Sequence, residues 1–241
     1  MMTHIRVITA HVSPRSNKEC EYEDLCKEGH KVTCSQIQDG PPCIEGELHS
    51  ALAVPGIVRE CLAAERDGVD AIVIDCVGDP GLVAAREAVR IPVIGPGEAS
   101  VHLASMLARK FSVLAPSPNV VPLIEEKCRL YGLENRLASA VAIDATVSDV
   151  VSGSHEGLLN QLVTVGANCV EEHGAGALII GCTGFVGYAP QIADRLLSRK
   201  LDVPVISPLR TALRFAQCIS SLGLRHSPKS YPFASMIVSG L

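Results

Sequence analysis

The amino-acid sequence predicts an α/β protein made of two pseudo-symmetric parallel-sheet halves, with the active site in the cleft between them. Short apolar runs rich in β-branched residues alternate with helix-forming stretches, and the series restarts halfway along the chain. Each copy also carries a cysteine at the end of one apolar run. Buried strands alternating with helices make βαβ units and a parallel sheet.

Taken in order, the elements are a strand at "IRVITA", a helix around Val54 to Gly68, a strand at "AIVIDC", a helix from about Gly81 to Val89, a strand at "IPVIGP" and a helix from Ala99 to Lys110. The charged segment "SNKECEYEDLCKEGHKV" between the first strand and the first helix reads as a solvated loop or helix face. The second series opens with "FSVLAPS" at Phe111, 106 residues after "IRVITAH" at Ile5, and Cys182 stands 106 residues after Cys76. A third match, "VPVISPLRTALRFA" from Val203 against "IPVIGPGEASVHLA" from Ile91, is offset by 112, which implies a longer loop after the second cysteine. The halves are therefore expected at 1–110 and 111–241, with the final segment able to cross back to the first half.

Composition narrows the function classes. With 47% hydrophobic residues and a net charge of -5, the chain lacks both the low hydrophobicity of a disordered protein and the basic excess of a nucleic-acid binder. Aromatic residues make up 3% and tryptophan is absent, so base-stacking platforms are not expected. No run has the roughly 20 apolar residues of a membrane span, and "MMTHIRVITAH" reads as a strand rather than a signal peptide. A cytoplasmic protein acting on a small-molecule substrate is the expectation.

Ten cysteines are scattered without a CxxC pair, which points to neither a disulfide framework nor a zinc site. Cys20, Cys26, Cys34, Cys43, Cys61, Cys128, Cys169 and Cys218 read as core or surface thiols. Cys76 and Cys182 differ, because two unrelated core thiols have no reason to share strand, glycine and half-chain register. In open parallel sheets ligands bind beyond the carboxyl ends of strands. If the halves face each other, the two thiols approach one cleft from opposite sides.

Two such thiols suit inversion at a carbon acid. One takes the proton from one face of a stereocentre beside a carbonyl, and the other returns a proton to the opposite face. Cysteine can fill both roles because its reference pKa of about 8.5 makes thiol and thiolate accessible. After Cys76, "VGDPGL" offers Asp79 as a helix N-cap and Pro80 as the first helical residue, and the amides and helix dipole there can stabilise a thiolate or an enolate oxygen. Thr183 and Gly184 stand in the same place after Cys182.

At these residues the sequence resembles the aspartate/glutamate racemase superfamily, and within it the hydantoin and allantoin racemase branch. "CVGDPGLVAAREAV", "PVIGPGEAS", "GPPCIEGELHSALAVPG" and "GCTGF" are similar to that branch's signatures. The resemblance implies that Cys76 and Cys182 are the proton-transfer cysteines and that Val77, Gly78, Thr183 and Gly184 hold the substrate with their amides. Asp79 lies in the same loop. The loop "APSPNVVP" nominates Ser117, and repeat symmetry nominates His11 and Ser13. This chain departs from the branch's "NPN" type of segment with "TAHVSPRSN", where His11 reads as a substrate contact, a proton carrier or a strand-end histidine.

Amino-acid racemases of the superfamily typically place Asn-Thr after the cysteine, whereas this chain has Val77-Gly78 and Thr183-Gly184. The resemblance therefore favours C5 of a 5-substituted hydantoin or of allantoin over an amino acid. An amino-acid racemase, a decarboxylase or cis-trans isomerase on the same fold, and a two-lobed binding protein are the alternatives. No P-loop, GxGxxG or HExxH pattern is present, and no lysine stands in a Schiff-base context. No cofactor and no metal are expected. Related racemases form oligomers, so a homo-oligomer is expected.

Overall fold

The computed structural model describes residues 2–143 and 155–233. Strands β1 (His4–Thr9), β2 (Lys31–Gln36), β3 (Ala71–Asp75) and β4 (Val93–Ile94) form a parallel sheet in the order β2-β1-β3-β4. Strands β5 (Phe111–Ala115), β6 (Leu137–Ala142), β7 (Ala177–Ile180) and β8 (Val205–Ile206) repeat the arrangement in the order β6-β5-β7-β8. The flanking helices are α1 (Glu23–Lys27), α2 (Glu47–Arg66), α3 (Leu82–Ala88), α4 (Pro96–Leu107), α5 (Val121–Leu130), α6 (His155–Glu171), α7 (Tyr188–Ser198) and α8 (Pro208–Ser221). The two-sheet α/β architecture is the one the sequence predicts.

The central strands are buried on both faces, as covered parallel strands must be. Every residue of β3, β5 and β7 is buried. On one face of the first sheet Ile8, Ile72 and Ile74 pack with Ala53, Ile57 and Cys61 of α2 and with Leu82 and Ala85 of α3. In the second, Leu114, Leu178 and Ile180 pack with Leu159, Leu162 and Val163 of α6 and Ile192 and Leu196 of α7.

Two strands escape the sequence pattern. β2 ("KVTCSQ") and β6 ("LASAVA") lie at sheet edges and contain no fully buried residue, so neither has the continuous apolar run of a central strand. Helix α2 begins at Glu47 rather than Val54 and runs through Pro55. The residue before a proline disfavours helix, which is why the sequence places the start there. Burial of Ser50, Ala53, Ile57, Cys61 and Ala64 at helical spacing overrides that preference.

The chain divides into two compact units, residues 1–96 with 212–241, and residues 97–211. Residues 234–241 of the final segment lie outside the described residues. In the first unit Arg214 of α8 pairs bidentately with Glu28, at 2.6 and 2.8 Å. In the second, Val101 and Ala104 of α4 pack on Phe111, Val113 and Ala115 of β5. The final helix of each copy thus counts with the sheet of the other copy.

Candidate functional site

In the first unit the chain leaves β3 through two successive turns. Asp79 N donates to Cys76 O at 3.1 Å, and Leu82 N donates to Asp79 O at 3.3 Å. Pro80 and Gly81 occupy the middle of the second turn, and Gly81 has φ 65° and ψ 16°. Proline followed by a residue of positive φ is the demand of a type II turn. Gly81, not Asp79, is therefore the N-cap of α3, and no side chain caps that helix. Asp79 instead adopts φ 47° and is 2% exposed, with its carboxylate packed onto Gly95.

In the second unit the same two turns follow Cys182. Phe185 N donates to Cys182 O at 3.3 Å, and Tyr188 N donates to Phe185 O at 3.4 Å. Gly187 takes the position of Gly81, with φ 74° and ψ 7°. The offset of 106 thus holds through the whole loop, from Cys76 and Cys182 to Gly81 and Gly187. The extra residues of the second copy come later, and α7 has 11 residues where α3 has 7. That corrects the expectation of a longer loop after the second cysteine, since most of the added length is helix.

Both thiols are half-buried, and the cysteines carry no disulfide bridge. Cys76 packs at the end of the apolar face formed by Ile72 and Ile74. Gly184 N points to Cys182 Sγ at 3.3 Å, a contact that favours the thiolate. Thr183 is buried, and Phe185 and Tyr188 stack edge to face with centroids 5.4 Å apart. Among the other cysteines, burial pushes the thiols of Cys61 and Cys169 up and that of Cys128 to about 11, as expected of inert core residues.

The loop after β1 is held in place. Gln36, at the end of β2, donates to His11 O at 2.8 Å and to Ser13 O at 2.6 Å, and Val12 N donates to Pro41 O at 3.0 Å. The His11 ring is partly buried, and Nδ1 has no hydrogen-bond partner among the described residues. Burial lowers its pKa, while the neighbouring Asp75 carboxylate pulls in the opposite direction. In the second unit Ser117 lies 106 residues later, and its buried Oγ is likewise without a partner. Buried polar groups without partners are uncommon in folded proteins, and these two hold repeat-equivalent positions at the end of β1 and just beyond β5.

Within the first unit the structure brings together Cys76, Val77, Gly78 and Asp79 in one loop, with His11 beside Asp75. Within the second, Cys182, Thr183 and Gly184 share one loop. Sequence reasoning missed Lys18 and Asp75, which form an ion pair of 2.6 Å with side chains only 14% and 2% exposed. The segment "SNKECEYEDLCKEGHKV" is thus not wholly solvated, since it also buries Glu21 and Leu25. The available signal was a charged residue inside the apolar run "AIVIDC", because a buried carboxylate requires a partner. Among the described residues no three His, Cys, Asp or Glu side chains group as a metal site, and no helix is long and apolar enough to cross a membrane.

A duplicated parallel α/β scaffold with a thiol-bearing loop at the same strand end of each copy defines the structural class. The allantoin racemase from Klebsiella pneumoniae shares this fold with a TM-score of 0.86, at 31% identity over 96% of this chain and 93% of that one. The Asp/Glu/Hydantoin racemase family model matches residues 9–216, and the chain belongs to that family. A hydantoin racemase from Pseudomonas sp. (strain NS671) is 34% identical over 95% of this chain and 91% of its own length. Another, from Paenarthrobacter aurescens, is 38% identical over 78% of both chains.

Proposed function

We propose that this chain is a cofactor-independent racemase that inverts C5 of a hydantoin, either a 5-substituted hydantoin or allantoin, by two-cysteine 1,1-proton transfer. The observation that carries the reading is the repeated loop. Each cysteine follows the third strand of its sheet and opens the same pair of turns, with a glycine of positive φ before the next helix. Homologues named hydantoin racemase and allantoin racemase supply the substrate class.

In the proposed cycle one cysteine starts as thiolate and the other as thiol. The thiolate takes the C5 proton, and electron density moves onto the adjacent carbonyl as a planar enolate. The thiol then protonates the opposite face of C5, which inverts the centre and exchanges the charge states of the two sulfurs. Each enantiomer begins from the opposite assignment, so the pH dependence belongs to the coupled pair. Backbone amides of Val77, Gly78, Thr183 and Gly184 are the proposed donors to the ring carbonyls. His11 and Ser117, with their unpartnered buried polar atoms, are the proposed side-chain contacts to the substrate.

The test follows optical activity and deuterium uptake from pure L- and D-allantoin and an L-5-alkylhydantoin in deuterated buffer, using the wild-type protein and the Cys76→Ser and Cys182→Ser variants. Racemization with deuterium at C5, lost in both variants, supports the reading and names the substrate. Unchanged optical rotation for every compound overturns the hydantoin assignment. Amino acids, arylmalonates and maleate would then separate an amino-acid racemase, a decarboxylase and a cis-trans isomerase, and ligand binding without turnover would indicate a two-lobed binding protein.

A further inference from the structure

The repeat exposes one departure from symmetry beside the proposed thiols. The residue before Cys182 is Gly181, whose backbone lies so close to β5 that a Cβ would fall 2.6 Å from Leu114 O. The residue before Cys76 is Asp75, a buried carboxylate. Its strand register sets Asp75, Thr9 and Gln36 in one row across β3, β1 and β2. Asp75 alternates with Ile72 and Ile74 along β3, and Cys76 packs against the cluster that holds those two isoleucines, so the Asp75 carboxylate and the Cys76 thiol lie toward opposite faces of the sheet. Lys18 Nζ donates to Asp75 Oδ2 at 2.6 Å, while Oδ1 has no hydrogen-bond partner among the described residues. A carboxylate this buried keeps its charge only beside a cation.

We propose that Lys18 and Asp75 act on the reaction through Cys76: the ammonium cancels the field of a carboxylate one residue from the thiol, so that Cys76 can carry negative charge. Lys18 and Asp75 are positioning residues in this scheme and touch no reacting atom. The proposal rests on the two-cysteine reading for its purpose but not for its physics. Among the described residues, the other titratable groups that act on Asp75 are His11 from the loop after β1 and Cys34 on β2, the latter with Tyr22 and Arg15 near it. None of them is altered in the variants that test the pair.

The test is the pH dependence of Cys76 alkylation by iodoacetamide, read by peptide mass spectrometry on the full chain, with Cys182 as the internal reference. Lys18→Gln should raise the Cys76 midpoint by about one pH unit, and Asp75→Asn should lower it by about as much. Lys18→Gln with Asp75→Asn should return it to the wild-type value, and Lys18→Arg should leave it in place. Shifts of one sign in both single variants, or no shift in Asp75→Asn, overturn the proposal. Lys18→Gln leaves a buried carboxylate uncompensated and can unfold the protein. Asp75→Asn keeps a side-chain oxygen that can accept from Lys18 Nζ where Asp75 Oδ2 now does, so the cation stays in place and this variant decides the matter alone. Alkylation needs no substrate: opposite shifts without hydantoin turnover uphold this proposal and reject the proposed function, while turnover without shifts does the reverse.

Discussion

The carboxylate of Asp79 rests on the α-carbon of Gly95, so closely that a Cβ at Gly95 would lie 2.5 Å from both Asp79 Cγ and Oδ1. Asp79 cannot swing aside easily, because it is 2% exposed and its backbone is already in the left-handed region at φ 47°. The contact locks the loop that presents Cys76 to the end of β4.

Gly95→Ala should therefore displace the Cys76 loop. The expected result is a loss of about 1 to 3 kcal/mol in stability, the usual cost of overpacking, with a fall in kcat/KM of at least tenfold, in line with the cost of small misplacements of catalytic groups. Urea unfolding and racemization rates measure the two effects. Activity unchanged in a folded variant would show that Asp79 does not position the loop.

Gly181→Ala should be worse tolerated. Its Cβ meets Leu114 O at 2.6 Å and Ala115 Cα at 3.0 Å, and these are backbone atoms that cannot rotate away. A destabilisation of about 3 kcal/mol or more is expected from forced displacement of a central strand pair. Thermal or urea unfolding would reveal it.

Two glycines separate backbone strain from crowding. Gly68 at φ 73° has open space where a Cβ would stand, whereas Gly81 at φ 65° faces Val54 Cγ2 at 3.1 Å and Cγ1 at 3.2 Å. Gly68→Ala should cost about 1 kcal/mol from the left-handed conformation alone. Gly81→Ala should cost clearly more, and equal costs in urea unfolding would mean that the Val54 side chain yields freely.

His11 makes stability depend on pH. Burial holds its folded-state pKa below the ordinary histidine value of 6.5, so as pH falls through that value the unfolded chain binds the extra proton first. Stability from this residue is complete above the unfolded pKa and is lost as pH falls toward the folded value. His11→Asn should lose less stability than wild type as pH falls through and below the ordinary histidine value of 6.5. Parallel losses in the two proteins would show that the ring titrates normally.

The sequence makes the duplicated architecture and the cysteine pair legible because both depend on repeated local patterns. Cys76 and Cys182 share an offset of 106 with Ile5 and Phe111, and that register persists to Gly81 and Gly187 in the structure. Asp79 shows where local rules stop. As a residue before Pro80 it has the chemistry of an N-cap, yet the tight turn transfers that position to Gly81 and turns the carboxylate toward Gly95, 16 residues away. Edge strands β2 and β6 are only half-buried and lack a readable period. Lys18 looks like a surface lysine until the fold places it on Asp75, which no spacing rule connects to it.

The first compact unit is written in two pieces, residues 1–96 and 212–241, whereas the second is one uninterrupted stretch from 97 to 211. During synthesis the first unit therefore waits for a segment made after the whole of the second, the one that carries Ala212, Leu213 and Ala216, all without solvent exposure in the finished protein. Until that segment arrives, the apolar surface those residues meet stays open, the kind of exposure that invites aggregation or help from chaperones. Completion of the first unit thus waits on the last stretch made, and a chain cut short after residue 211 would leave the earlier-made unit unfinished.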